Sequence, residues 1–179
     1  MFPLGHVGIT IGVAFLIMRK LGKSWNPKLF IIIIGVASII PDLIDKPIGP
    51  LFGNPLGGRY FAHTLVFGGL VAGASLLLWR AWSRKGLELS VWPLLFSLGV
   101  WSHLVLDLSP ECFEVLLWPA YGFGFPSGEF SWGHLTDSPV AIAGEVVGAV
   151  IIAYVLALLV LGRFSPAVSR AVDSTRETL

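Results

Sequence analysis

Ser102-His103-Leu104-Val105-Leu106-Asp107 sets an imidazole and a carboxylate four residues apart in an apolar stretch. On a helix that spacing puts both groups on one face, one turn apart. A first-row metal ion bound by neutral imidazole and carboxylate wants such a pair on a rigid element. A His-Asp hydrogen bond that merely ties helices together would use the same two residues. Two more carboxylates stand in Pro41-Asp42-Leu43-Ile44-Asp45-Lys46-Pro47, which closes a long apolar run. Pro41 cannot donate to the helix ladder and crowds the preceding turn, so the helix kinks or restarts there and Asp42 falls near a helix start. A charged side chain costs roughly 3 kcal/mol at the bilayer centre and less near the interface. Two carboxylates three residues apart therefore ask for a cation; a helix cap with a salt bridge from Asp45 to Lys46 or Arg59 would also serve.

Gly58-Arg59-Tyr60-Phe61-Ala62-His63-Thr64 places Arg59 and His63 one turn apart. Arginine suits a phosphate or carboxylate held by paired hydrogen bonds, and it is equally suited to snorkel toward headgroups. His6 lies near the start of the first apolar stretch, where a lone histidine reads as an interfacial residue unless other ligands meet it. Glu145 sits among small residues in Ala141-Ile142-Ala143-Gly144-Glu145-Val146-Val147-Gly148. It can be a structural hydrogen-bond partner, an outer-sphere acid or a general base, in that order. His134, close to Asp137, reads as a solvated loop residue.

The elements that must position these groups are long and apolar. Hydrophobic residues make up 55% of the 179 and charged ones 13%, with mean hydropathy +0.81. A water-soluble globule of this size could not hide that much apolar surface. Five stretches approach or reach the roughly 18 to 20 residues needed to cross hydrocarbon: 4–21, 28–45, 61–82, 89–108 and 139–161. The expected fold is therefore an all-α integral membrane bundle of about five transmembrane helices, one domain over 1–179. A long loop follows the fourth helix. It carries Trp118, Tyr121, Phe123, Phe125, Phe130 and Trp132, aromatic rings of the kind that favour the headgroup region, and a short helix between Cys112 and Trp118 would roof the polar groups.

Lys and Arg in short loops mark the cytoplasmic side. Arg19, Lys20, Lys23 and Lys28 surround the first connection, Arg80, Arg84 and Lys85 the third, and Arg163, Arg170 and Arg176 the tail, leaving only Lys46 and Arg59 on the other side. The N-terminus is then outside and the C-terminus inside, which requires an odd number of crossings. All four histidines and most acidic residues fall on the outer side under this topology.

The net charge of +1 and the lack of a basic block exclude nucleic acid as an expected partner. Cys112 is the sole cysteine, which rules out an internal disulfide, a zinc ribbon and a CxxC redox pair. Met1 to Gly12 lacks the basic start and small-residue cleavage site of a signal peptide.

His6, Pro41-Asp42 at the end of an apolar helix, the Gly-Arg-Tyr-Phe-Ala-His-Thr segment, and His103 with Asp107 followed by Trp118-Pro119 resemble the YdjM family of membrane-bound metal-dependent hydrolases. The resemblance covers about residues 3 to 125. That family is distantly similar to the zinc-dependent phospholipase C and single-strand nuclease fold, a helical scaffold with His and Asp ligands. The resemblance implies metal ligation by His6, Asp42, His63, His103 and Asp107, and phosphoester hydrolysis at the inner membrane. The sequence departs from the commoner pattern, Asp-x-Asp-His and His-Arg-Gly-x-Thr-His-Ser, by one histidine in each place, which leaves one or two ions to be held.

The expected function is a membrane hydrolase with one or two divalent ions, zinc first and manganese or magnesium as substitutes, acting on a phosphoester or ester of a lipid or lipid-linked substrate at the extracytoplasmic face. Asp45 or Glu145 would take the proton and Arg59 would hold the substrate anion. A transporter of ions or metal, and a non-catalytic metal-stabilised scaffold, are the alternatives from other classes. A dimer would help five short helices shield the site.

Overall fold

The computed structural model describes residues 3–21, 26–52, 58–108, 113–125 and 138–164. Its helices are α1 (Pro3–Leu21), α2 (Pro27–Ala37), α3 (Ile40–Ile48), α4 (Leu65–Arg84), α5 (Trp92–Leu106), the short α6 (Phe113–Leu116) and α7 (Pro139–Val160). Among the described residues, four apolar helical spans are long enough to cross a membrane: Pro27–Ile48, Leu65–Arg84, Leu89–Leu106 and Pro139–Val160. The remaining expected crossing, α1, has 19 residues and so a length of about 28 Å. It packs chiefly along α7 and also against α2 and α5.

The second span is broken, as Pro41 requires. Helix α2 stops at Ala37, Ser38 and Ile39 form a turn, and α3 restarts with Pro41 in its first turn and Asp42 beside it. A carboxylate there is favoured by the exposed N–H groups of a helix start. At the third span, His63 precedes the helix instead of riding on it. Phe61–His63 is a 3-10 turn, and the Thr64 side chain then caps α4 by accepting from the Phe67 amide at 3.0 Å. In the fourth span His103 lies in the last turn of α5 and Asp107 is its C-cap.

Lipid tails are as apolar as leucine, so the hydrophobic effect does not hold helices together inside a membrane and close fit must do so. Glycine supplies that fit between α1 and α7, where a Cβ on Gly8 would come within 2.1 Å of the Gly148 carbonyl oxygen. Between α2 and α5 a Cβ on Gly99 would stand 2.4 Å from that of Ala37. Two polar ties lock α5 to its neighbours: Thr10 and Ser102 share a hydroxyl hydrogen bond of 2.7 Å, and the Trp101 indole donates to the Gly68 carbonyl at 3.1 Å. One half of the bundle is filled by Ile11, Phe15, Met18, Phe30, Ile34 and Leu95 with their neighbours. The chemistry-bearing residues occupy the opposite end.

Candidate metal centre

Five elements meet at that end: the start of α1, the α2–α3 break, the 3-10 turn before α4, the end of α5 and the start of α7. Asp42, His63, His103 and Asp107 each turn one ligand-type atom inward, and these four atoms lie within 4.8 Å of one another. Nε2 of His63 is 3.2 Å from Nε2 of His103 and 3.5 Å from Asp42 Oδ1. Asp42 Oδ1 is 3.8 Å from His103 Nε2, and Asp107 Oδ2 is 3.9 Å from His63 Nε2. Ligand atoms about 2.1 Å from a tetrahedral zinc ion stand about 3.4 Å apart, so the cluster has the spacing of a metal-binding set.

The far side of each ring settles which nitrogen faces inward. His103 Nδ1 lies 2.7 Å from the Ser38 carbonyl, which can only accept, so that nitrogen carries the proton. His63 Nδ1 lies 2.7 Å from Asp45 Oδ2, a carboxylate, and is protonated likewise. In the neutral rings both Nε2 atoms then present bare lone pairs to each other across 3.2 Å. Two lone pairs held that close repel unless a proton or a cation stands between them. This is the observation that fits the residues to a metal.

Asp45 is fully buried, and its oxygens also accept the Tyr60 amide at 2.7 Å and the Ala62 amide at 3.0 Å. Three donors hold it, and through it His63 is fixed in tautomer and direction, the usual outer-sphere role of a carboxylate behind a histidine ligand. Neither salt bridge expected for Asp45 is formed: Lys46 bonds Asp42, and Arg59 donates from Nε and Nη2 to Asp107 Oδ2, both at 3.0 Å.

His6 is wholly buried, its ring stacked on His103 with centroids 4.2 Å apart. Its Nε2 approaches Asp107 Oδ1 to 3.1 Å. That contact is electrostatic, because neither His6 nitrogen makes a well-aligned hydrogen bond among the described residues. Glu145 does not join the cluster; its Oε1 accepts the Gly5 amide at 3.0 Å. It thereby satisfies one of the orphan N–H groups at the start of α1 and fixes the residue next to His6. His134 and the neighbouring Asp137 lie outside the described residues, as do Phe130 and Trp132.

Two of these groups stand beyond the spans. Burial alone would raise the Asp107 carboxyl, but the His6 imidazole and the Arg59 guanidinium outweigh it and hold the group well below the usual carboxylate range. Burial alone would lower His63; the bonds to Asp42 and Asp45, with the charge of Asp107, draw it above the ordinary imidazole value instead.

Helix α6, at the place expected of a short roofing helix, closes one side. A small cleft with room for about one water lies there, lined by Arg59, His63 and Asp107 on one side and by Val115 and Leu116 of α6 on the other. The loop rings hold this edge. Trp118 stacks on Phe125 at 5.4 Å and meets Phe61 edge-on at 6.1 Å, while Phe125 also meets Tyr60 at 5.7 Å. These rings brace the segment that carries His63, a role beyond headgroup anchoring.

The backbone partners, Ser38 O and the amides of Tyr60 and Ala62, were not foreseen from sequence. The signal available for Ser38 was Pro41, since a helix broken there leaves a carbonyl open to another donor. The model of the YdjM inner membrane protein family matches residues 1–168 of the chain. No curated protein and no solved structure matches it.

Proposed function

The chain belongs to the YdjM inner membrane protein family and passes through that membrane several times, and from this premise we propose that it is a metal-dependent hydrolase of lipid phosphoesters, with its site on the extracytoplasmic side. The observation that carries the proposal is the close approach of the His63 and His103 Nε2 atoms, 3.2 Å apart and flanked by Asp42 and Asp107. These four residues hold the ion, zinc before manganese or magnesium, and His6 is a fifth donor. A bound divalent cation supplies a Lewis acid for a phosphoryl oxygen and for the attacking water.

The chain's own groups do the rest. Asp45 and Ser38 keep the two imidazoles aimed at the ion. Arg59 neutralises Asp107 and brings positive charge to the cleft floor, where an anionic phosphoester would lie. Glu145 and Asp45, expected to take the proton, act in this reading through position: one fixes the start of α1 and the other fixes His63.

Transport is the weaker reading. Conduction needs polar groups through the depth of the bundle, and the other half is packed with Ile11, Phe15, Met18, Phe30 and Ile34.

The test is elemental analysis of detergent-purified protein together with turnover of labelled phospholipids by the metal-loaded form. Bound zinc near one or two ions per chain, and hydrolysis lost in His103→Ala, are expected. Turnover no greater than that of His103→Ala would remove the catalytic assignment, and unchanged metal content in that variant would remove the ligand set.

A further inference from the structure

Asp107 is claimed from two sides. Its Oδ2 approaches the His63 ring, 3.9 Å from Nε2, and the same oxygen accepts both Arg59 bonds, from Nε and Nη2 at 3.0 Å each. Asp42 Oδ1 stands closer to that His63 nitrogen, at 3.5 Å, so Asp107 is the outlying carboxylate of the set. An oxygen that already accepts two charge-assisted bonds from a guanidinium has less electron density to offer an ion. Arg59 and a divalent cation therefore compete for one carboxylate oxygen, and their like charges repel besides. The two partners of the bond differ in freedom. The Arg59 side chain is 31% exposed and that of Asp107 only 8%. A guanidinium can swing outward on its long stem, whereas Asp107 is fixed as the C-cap of α5. What draws the guanidinium outward must be an anion that matches its planar fork, and a phosphate group does so.

We infer that Arg59 couples the two ligands of the site: it holds Asp107 back from the ion until a phosphate group engages the guanidinium, and then releases the carboxylate to the ion. The inference rests on the metal-dependent reading and deepens it by linking metal binding to anion binding. Such coupling is reciprocal, so phosphate tightens the ion by the same factor as the ion tightens phosphate. Removal of Arg59 then has an unusual sign. It leaves the buried Asp107 carboxylate without its guanidinium, and an uncompensated buried charge is costly. A cation at the cluster relieves that cost, so loss of the arginine strengthens metal binding. A residue that merely positioned Asp107 would weaken it when lost.

The experiment measures zinc affinity of the full chain in a phosphate-free detergent by competition with a coloured chelator. Zinc is added alone, with inorganic phosphate, or with phosphatidylglycerol. It is expected to bind the wild type at least about 5-fold more tightly with one or both anions, and the arm that responds distinguishes free phosphate from a lipid headgroup. Arg59→Gln should bind zinc at least about 5-fold more tightly than the wild type with no anion present, and neither anion should add to this. Arg59→Met, which keeps an apolar stem, gives the same reading if the first variant inserts poorly. Asp107→Asn separates release of the carboxylate from direct contact between anion and ion, and the gain from phosphate should vanish there. Wild-type affinity that neither anion changes, an Arg59→Gln affinity no tighter than wild type, or a phosphate gain that persists in Asp107→Asn overturns the coupling. Turnover of labelled phospholipid is followed in parallel. Coupling without turnover keeps the inference and removes the hydrolase, turnover without coupling does the reverse, and a wild type that binds no zinc removes both.

Discussion

Asp45 has no place among the inward-facing donor atoms, yet the direction of His63 depends on it. Replacing it by Asn keeps the size and removes the charge that fixes the imidazole tautomer, and loss of such a partner typically weakens metal binding by about 10- to 100-fold. Chelator competition on Asp45→Asn should show a loss in that range with the fold intact by circular dichroism. The pH dependence separates the two states of the protein. Without metal, His63 is drawn upward by its carboxylate neighbours, so its contribution to stability is full below the ordinary imidazole value and is lost as pH rises through the raised one. With metal the sign reverses, because the ion needs neutral rings and acid displaces it. Thermal unfolding across pH 5 to 8 should therefore slope in opposite directions with and without chelator. Parallel slopes would mean that no ion binds between the rings. At this scale the spacing of His103 and Asp107 was legible in the sequence, and the structure gathers both with Asp42 and His63. The pairings were hidden, because Arg59 finds Asp107 from 48 residues away and Lys46 chooses Asp42 over Asp45, a choice made by the fold around them.

The helices position the cluster through two devices, a break and a close approach. Pro41→Ala would let α2 and α3 run on, and the Ser38 carbonyl would then accept an amide within its own helix, depriving His103 of its partner. Weaker metal retention is expected, measured by dialysis against chelator, while near-wild-type retention would show that the break is unrelated to His103. The close approach is more exacting. Gly8→Ala drives a methyl to within 2.1 Å of a backbone oxygen that cannot swing aside, so α1 must separate from α7. Overpacking of this kind costs about 1 to 3 kcal/mol, and thermal unfolding in detergent should fall accordingly. Gly73→Ala, where nothing stands within 4 Å, should leave it unchanged. Hydropathy outlined the long helices, and the missing N–H of Pro41 marked the kink. It could not show that His63 sits on a 3-10 turn, because an apolar run looks the same whether its first residues are coiled as 3-10 or α. The Gly8 and Gly148 contact also needs two helices to be seen together.

For the whole molecule, successive spans contribute alternately a start and an end to one side, where the described His and Asp cluster lies, and the charge pattern predicts that this side is the exterior. Cys112, the sole cysteine, tests this directly in the segment between α5 and α6. A membrane-impermeant maleimide should label it in intact spheroplasts, and labelling only after lysis would turn the topology over. The match to the inner membrane family over residues 1–168 accords with the resemblance read from the His and Asp segments, which reached only to about residue 125. What the segments lacked was any mark on α7, whose Glu145 works through a backbone amide and so carries no recognisable spacing.

That bond joins Gly5 to Glu145 across 140 residues, and the timing of synthesis follows from it. At about 5 to 20 residues per second, the first helix waits on the order of ten seconds after emerging before its partner exists. The Gly5 bond that fixes the residue next to His6 can form only when the last span has left the ribosome, so the nascent chain passes through a stage in which Asp42, His63, His103 and Asp107 are all made while α1 has only α2 and α5 to pack against.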